Sequence, residues 1–237
     1  MDRITALVWS ELKLILRNRT LLTSVLVVPL ALGVFLTFSQ IDAPTYVVAM
    51  QIVFALGMGV YVGGTQTLVA RRQSRVLKRF RTSGISDGGL LVGTVGPAAV
   101  LALAQLILFG VFDVVAGLPA PGAPLALLLA VLGGLALVTT AALATAIVTP
   151  SAERAQITTL PLFFVVVGSA VIIAVIPAGG WPDMLALLPG GAVGALSRVA
   201  YGAPWTPYAL VSLVVWPVLF GWLASRNFRW DARVAAV

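Results

Sequence analysis

Charged residues are so sparse in this chain that they leave six uncharged stretches, each long enough to cross a bilayer: Thr20 to Ile41, Ala43 to Ala70, Gly88 to Phe112, Val114 to Ala152, Ala155 to Pro182 and Val199 to Ser225. An α-helix rises about 1.5 Å per residue, so roughly 20 apolar residues cover a hydrocarbon core of about 30 Å. Lipid offers no partner to an open backbone N–H or C=O, which makes helices the expected form of such stretches. Only 10% of the 237 residues are charged and 60% are hydrophobic, which leaves little material for a water-soluble domain. The expected fold class is all-α: a polytopic membrane protein with six transmembrane helices, a cytoplasmic amphipathic amino-terminal helix and a broken re-entrant segment between spans five and six.

Trimming at Pro44, the Gly117 to Pro124 stretch, Pro150 and Pro177 places the spans near 20–39, 46–69, 89–112, 125–148, 157–177 and 206–224 of one transmembrane domain, 1–237. Around them lie an interfacial helix (1–19), a cytoplasmic loop (70–88), an external re-entrant segment (178–205) and a tail (225–237). Lys and Arg set the direction, because the flanks richer in them stay in the cytoplasm. Fourteen of the fifteen basic residues fall on one side, and only Arg198 on the other, which puts both termini in the cytoplasm. Asp42, Asp113 and Asp183 fall in the outer loops, where Asp42 and Asp113 read as ordinary ionised loop residues. The opening segment does not read as a cleavable signal peptide, since a charged amphipathic stretch comes first.

Ile4, Leu7, Val8, Leu12 and Ile15 recur at helical spacing opposite Arg3, Lys13 and Arg17, the pattern of a helix lying in the membrane surface. Glu11 falls on its apolar side and requires a cationic neighbour or water. After span two, Arg71, Arg72, Arg75, Lys78 and Arg79 surround Val76, Leu77 and Phe80, an apolar patch amid positive charge. Two roles suit that stretch: charge resting on anionic lipid, or a knob docking into a cytosolic protein. Between spans five and six, Pro189-Gly190-Gly191 breaks a segment whose Arg198 can pair with Asp183 or face lipid phosphate.

The composition excludes many activities. With no Cys and no His, the chain lacks thiol nucleophiles, imidazole bases and the usual zinc or haem ligands. It contains no G-x-x-x-x-G-K-[ST] loop and no base-reading module, so neither nucleotide hydrolysis nor nucleic-acid binding is expected of it. The span cores hold no Asp, Glu, His or Arg to couple an ion gradient. Their polar side chains include Gln51, Gln66 and Gln105, which more commonly join helices than bind cargo but are the candidates for lining a substrate path. Pro29, Pro97, Pro161 and Pro217 interrupt spans, and Gly59 with Gly63 permits close helix packing within a subunit or across a dimer.

The order of these parts resembles the permease subunits of type 2 ABC exporters over essentially the whole chain. The most specific stretch runs from Arg72 through Gln73, Ser74, Arg75, Val76, Leu77, Lys78, Arg79, Phe80 and Arg81 to Thr82-Ser83-Gly84. It is similar to that family's loop of Arg-Glu-x-Gly, an apolar pair, a basic-apolar pair and Thr-Pro, with Gln73 at the usual acidic position. Phe228-Arg229-Trp230-Asp231 is similar to the family's aromatic-basic ending. The resemblance implies two permease subunits, identical or related, in the bacterial inner membrane with two cytosolic ATP-binding subunits. Those partners bind ATP and Mg, and this chain holds no cofactor. It further implies docking of the ATPase on the 71–86 loop, with the amino-terminal helix sharing the contact, and export of drugs, antibiotics or lipid-like amphiphiles. A membrane scaffold without transport is the alternative that uses the same spans.

Overall fold

The structure is a computed structural model that describes residues 13, 17, 19–39, 41–73 and 87–227. Among these residues every regular element is helical. Helix α1 covers 19–38 and contains a π-helical stretch, Thr23–Val27. Helix α2, Pro44–Gln73, has a second one at Ala55–Val62. Then follow α3 (Asp87–Val115), α4 (Pro124–Val148) and α5 (Ala152–Val175), a 3₁₀ segment (Trp181–Leu187), α6 (Gly191–Ala200) and α7 (Pro207–Asn227). Pro stands in the first turn of α2, α4 and α7, where its missing N–H has no helical partner to lose.

The bundle is a polytopic membrane fold: α2, α3, α4, α5 and α7 are long and apolar enough to cross a bilayer, and α1 adds the shorter apolar stretch Val25–Phe38. Helix α2 is its axis. Of its most apolar 18 residues 83% are buried inside the protein, against 17% for α7, whose Leu210, Val211, Val214, Val215 and Val218 face outward. A helix that is apolar all round is buried or faces lipid, and here the two cases divide between α2 and its ring.

Small residues set the spacing. A Cβ on Gly63 would lie 2.4 Å from Val25 Cγ2 of α1, and one on Gly59 would meet Ala102 of α3, so the Gly59/Gly63 pair packs α2 against helices of the same chain. The adjacent Gly133 and Gly134 of α4 admit Leu213 of α7 on one side and Leu56 of α2 on the other.

Helix α6 lies at one end of the bundle with all ten residues buried, packed against α4, α5, α2 and α7. Its entry requires glycine. Gly190 has φ +90°, and a Cβ there would sit 2.3 Å from the Val166 carbonyl oxygen. One turn on, a Cβ on Gly194 would sit 2.1 Å from the Ala170 carbonyl oxygen, so the two backbones touch. The break before α6 leaves carbonyls open, and neighbouring side chains close them. Trp216 Nε1 donates to Leu187, Ser212 to Leu188 and Ser169 to Pro189, at 2.6, 3.3 and 2.7 Å. Irregular backbone survives among apolar helices because it is enclosed in protein and supplied with donors.

Candidate functional site

At one end of the bundle, α2 finishes in Arg71, Arg72 and Gln73. The Arg72 guanidinium donates to the carbonyls of Ala146 (2.8 Å) and Thr149, the last turn of α4 and the residue after it. Those groups lack partners within their helix and carry the negative end of its dipole, so a forked cation is the matching cap. Gln73 Oε1 accepts from the Ala152 amide at 3.3 Å and so caps the start of α5. Two residues that begin the basic stretch therefore tie three helices together. Arg71 is half-buried beside them. Arg75, Val76, Leu77, Lys78, Arg79 and Phe80 lie outside the described residues, as does Glu11, while Lys13 and Arg17 are helical and exposed. At the same end Arg226 of α7 stacks on Trp222, 4.6 Å from the ring centroid.

We expect Arg72→Ala to destabilise the isolated chain by roughly 1–3 kcal/mol, since it orphans both carbonyls of α4. Lys restores charge without the fork and recovers only part. Thermal unfolding of the purified chain, with no partner present, checks this. An unchanged midpoint would show that Arg72 does not hold α4.

The three interior glutamines are all buried, and two have a definite structural task. Pro29 has no N–H, so the carbonyl of Val25, four residues earlier, loses its helical donor. Gln105 of α3 supplies one from outside, Nε2 to Val25 O at 3.0 Å, beside the π-helical turns of α1. Its Oε1 is enclosed without a partner. Gln51 Nε2 reaches Thr37 Oγ1 at 3.0 Å and Asp113 Oδ1 at 2.9 Å, linking α1, α2 and α3. Gln66 is buried on the half of α2 that ends in Arg72. Tyr61 Oη and Thr145 Oγ1, 3.0 Å apart, join α2 to α4.

At the opposite end, Arg198 of α6 is only 6% exposed. It pairs with Asp183 of the 3₁₀ segment at 2.6 Å and donates to the Ile176 carbonyl at 3.0 Å, pinning the segment to the end of α5. Asp183 Oδ2 accepts from the Gly179 amide. Of the two partners the sequence allowed Arg198, the structure pairs it with Asp183 rather than leaving it for lipid.

Asp113 departs from the sequence reading. It lies in the last turn of α3, half-buried, and accepts from Thr37 and Gln51, where a freely hydrated loop carboxylate was expected. The helix continues past the expected boundary at 112 as far as Val115. Partners on two other helices were not visible in a span ended at the first charge. The carbonyl-closing roles of Ser169, Ser212 and Trp216 also escaped the sequence. Pro29 marked an interrupted span, but pointed to neither the Val25 carbonyl nor its donor.

The fold thus defines a polytopic α-helical membrane protein whose interior polar groups bridge helices. Compared with known protein families, residues 20–226, from α1 to the last turn of α7, match the ABC-2 family transporter proteins. The chain belongs to that family, and is a membrane-embedded permease component of an ABC transporter, a transport part rather than a catalytic one. No curated protein and no solved structure matches it.

Proposed function

We propose that this chain is the membrane permease of an ATP-driven exporter of amphiphilic small molecules, drug-like or lipid-like. It pairs with a second permease, identical or related, and with two cytosolic subunits that bind ATP and Mg. The observation that carries the reading is the family match across the whole helical bundle. In this reading the end bearing Arg71, Arg72 and Arg226 faces the bacterial cytoplasm with both termini, in line with the excess of basic residues on those flanks. The 71–86 stretch is the docking surface for the ATPase, Val76, Leu77 and Phe80 supplying an apolar knob and Arg75, Lys78 and Arg79 its charge. The amino-terminal helix with Glu11, Lys13 and Arg17 shares that contact. Closure of the ATPase dimer then moves the inner half of α2.

The test is recovery of the tagged chain in mild detergent, identification of its partners by mass, and an ATPase assay of the complex. A stoichiometric nucleotide-binding subunit with activity supports the reading. Recovery of the chain alone across several detergents and nanodiscs overturns it in favour of a scaffold. Within a recovered complex, Arg75→Glu with Arg79→Glu is expected to uncouple ATP hydrolysis from transport, lowering transport by about tenfold or more. Unchanged coupling would assign the loop to the lipid surface.

A further inference from the structure

Three helices converge on one carboxylate at the end of the bundle away from Arg72. Thr37 of α1 donates to Asp113 Oδ1 at 2.7 Å and Gln51 of α2 donates to the same oxygen at 2.9 Å. Both donors are fixed in place, since Thr37 is 4% and Gln51 3% exposed and Gln51 also bonds Thr37. Both bonds to the carboxylate end on Oδ1. Among the described residues Oδ2 receives no hydrogen bond and is not fully enclosed, so it is the acceptor left for a ligand. The ion pair found among the described residues is Arg198 with Asp183, and Asp113 has no cationic partner there. Elsewhere on the same two helices Phe35 and Phe38 of α1 and Val111 and Val114 of α3 are exposed, so the outer faces of both helices are apolar. Tyr201, after α6, lies near enough to sense the carboxylate. Burial first, and the Asp113 charge second, hold its phenol above the ordinary value, so it adds no negative charge.

We propose that Asp113 receives the ammonium group of a cationic amphiphile, whose apolar part lies along the apolar outer faces of α1 and α3. A single carboxylate with one free oxygen is too few ligands for calcium or magnesium, which require about six. An ammonium group requires one charge-assisted bond and tolerates apolar walls. An amphiphile satisfies both the charge and the apolar faces of the two helices. The inference deepens the exporter reading by naming the charge of the cargo, although binding at Asp113 is measurable without any ATPase.

The experiment uses the purified chain in phosphatidylcholine nanodiscs and two fluorescent probes, dansylcadaverine, a primary amine, and its uncharged N-butyl dansylamide analogue. Wild type is expected to bind the amine about tenfold more tightly than the analogue. Asp113→Asn keeps an acceptor for Thr37 and Gln51 but loses the charge. It is expected to bind the amine no better than the analogue, whose own affinity stays unchanged. On the wild type, raising NaCl from about 0.05 to 0.5 M is expected to weaken the amine and spare the analogue. No preference in the wild type, or a preference retained by Asp113→Asn, overturns the proposal. If that variant does not fold, the wild-type preference and its salt dependence decide alone. Replacing half the lipid with phosphatidylethanolamine separates the sources. Displacement of the amine assigns the site to a lipid headgroup, and undisturbed binding assigns it to soluble cargo, with an ammonium bound in either case. Absence of a copurifying ATPase would remove the exporter reading and leave this result standing, and the converse also holds.

Discussion

Gly190→Ala is expected to lower the unfolding midpoint of the purified chain by roughly 5–15 °C, the counterpart of a loss of about 2–5 kcal/mol. Two effects add. At φ +90° an L side chain is strained wherever it points, and here it points at the Val166 backbone, 2.3 Å from its oxygen. Neither atom is the end of a flexible side chain, so relief requires α6 to separate from α5. That separation would withdraw the Pro189 carbonyl from Ser169 and disturb the neighbouring carbonyls held by Ser212 and Trp216. Gly168→Ala, on α5 itself, is the control. Its added Cβ meets nothing within 4 Å, and an alanine in a helix interior is favoured by up to about 1 kcal/mol. Equal midpoints for the two variants would show that α6 does not rest on α5 through glycine.

Arg198→Met is expected to cost about 3 kcal/mol or more, read as a fall in thermal midpoint and earlier proteolysis between α5 and α6. The side chains of Arg198 and Asp183 are 7% and 15% exposed, so removing the cation leaves a poorly hydrated carboxylate and an open Ile176 carbonyl. The attraction within the pair is not the measure of this loss; the cost lies in what stays behind uncompensated. Arg198→Met with Asp183→Leu removes both charges and is expected to recover a substantial part of the stability. A double variant as unstable as the single one would transfer the effect from charge to the Ile176 contact or to packing.

The uncharged runs marked where the long helices lie, because hydrocarbon imposes length and apolarity on any segment within it. The prolines and glycines marked the joints. Family membership was also legible, because the order of amphipathic start, basic loop and broken outer segment survives as a pattern along the chain. Asp113 was not legible as a helix-bridging residue, since a charge at the edge of an apolar run looks the same whether it is hydrated or tied to Gln51 and Thr37. Arg72 likewise counted as one of several cations, set either against lipid or against a docking partner. Its role as cap of α4 depends on Ala146 and Thr149, more than seventy positions away.

The sequence by itself determined that the chain is a helical membrane bundle, how its ends divide in charge, and that it carries neither Cys nor His. Each of these follows from residue type and spacing along one segment, the scale on which solvent acts. Only the tertiary structure decided that α2 is the buried axis, that the Gly59/Gly63 face packs within the chain, and that α6 is wholly enclosed. It also decided which polar groups meet. Nearly every span is apolar on all sides, so its pattern does not single out an inward face. Lipid and protein interior attract such a surface alike, and the choice falls to shape, to where glycine lets backbones touch, and to which orphan carbonyl a distant side chain can reach.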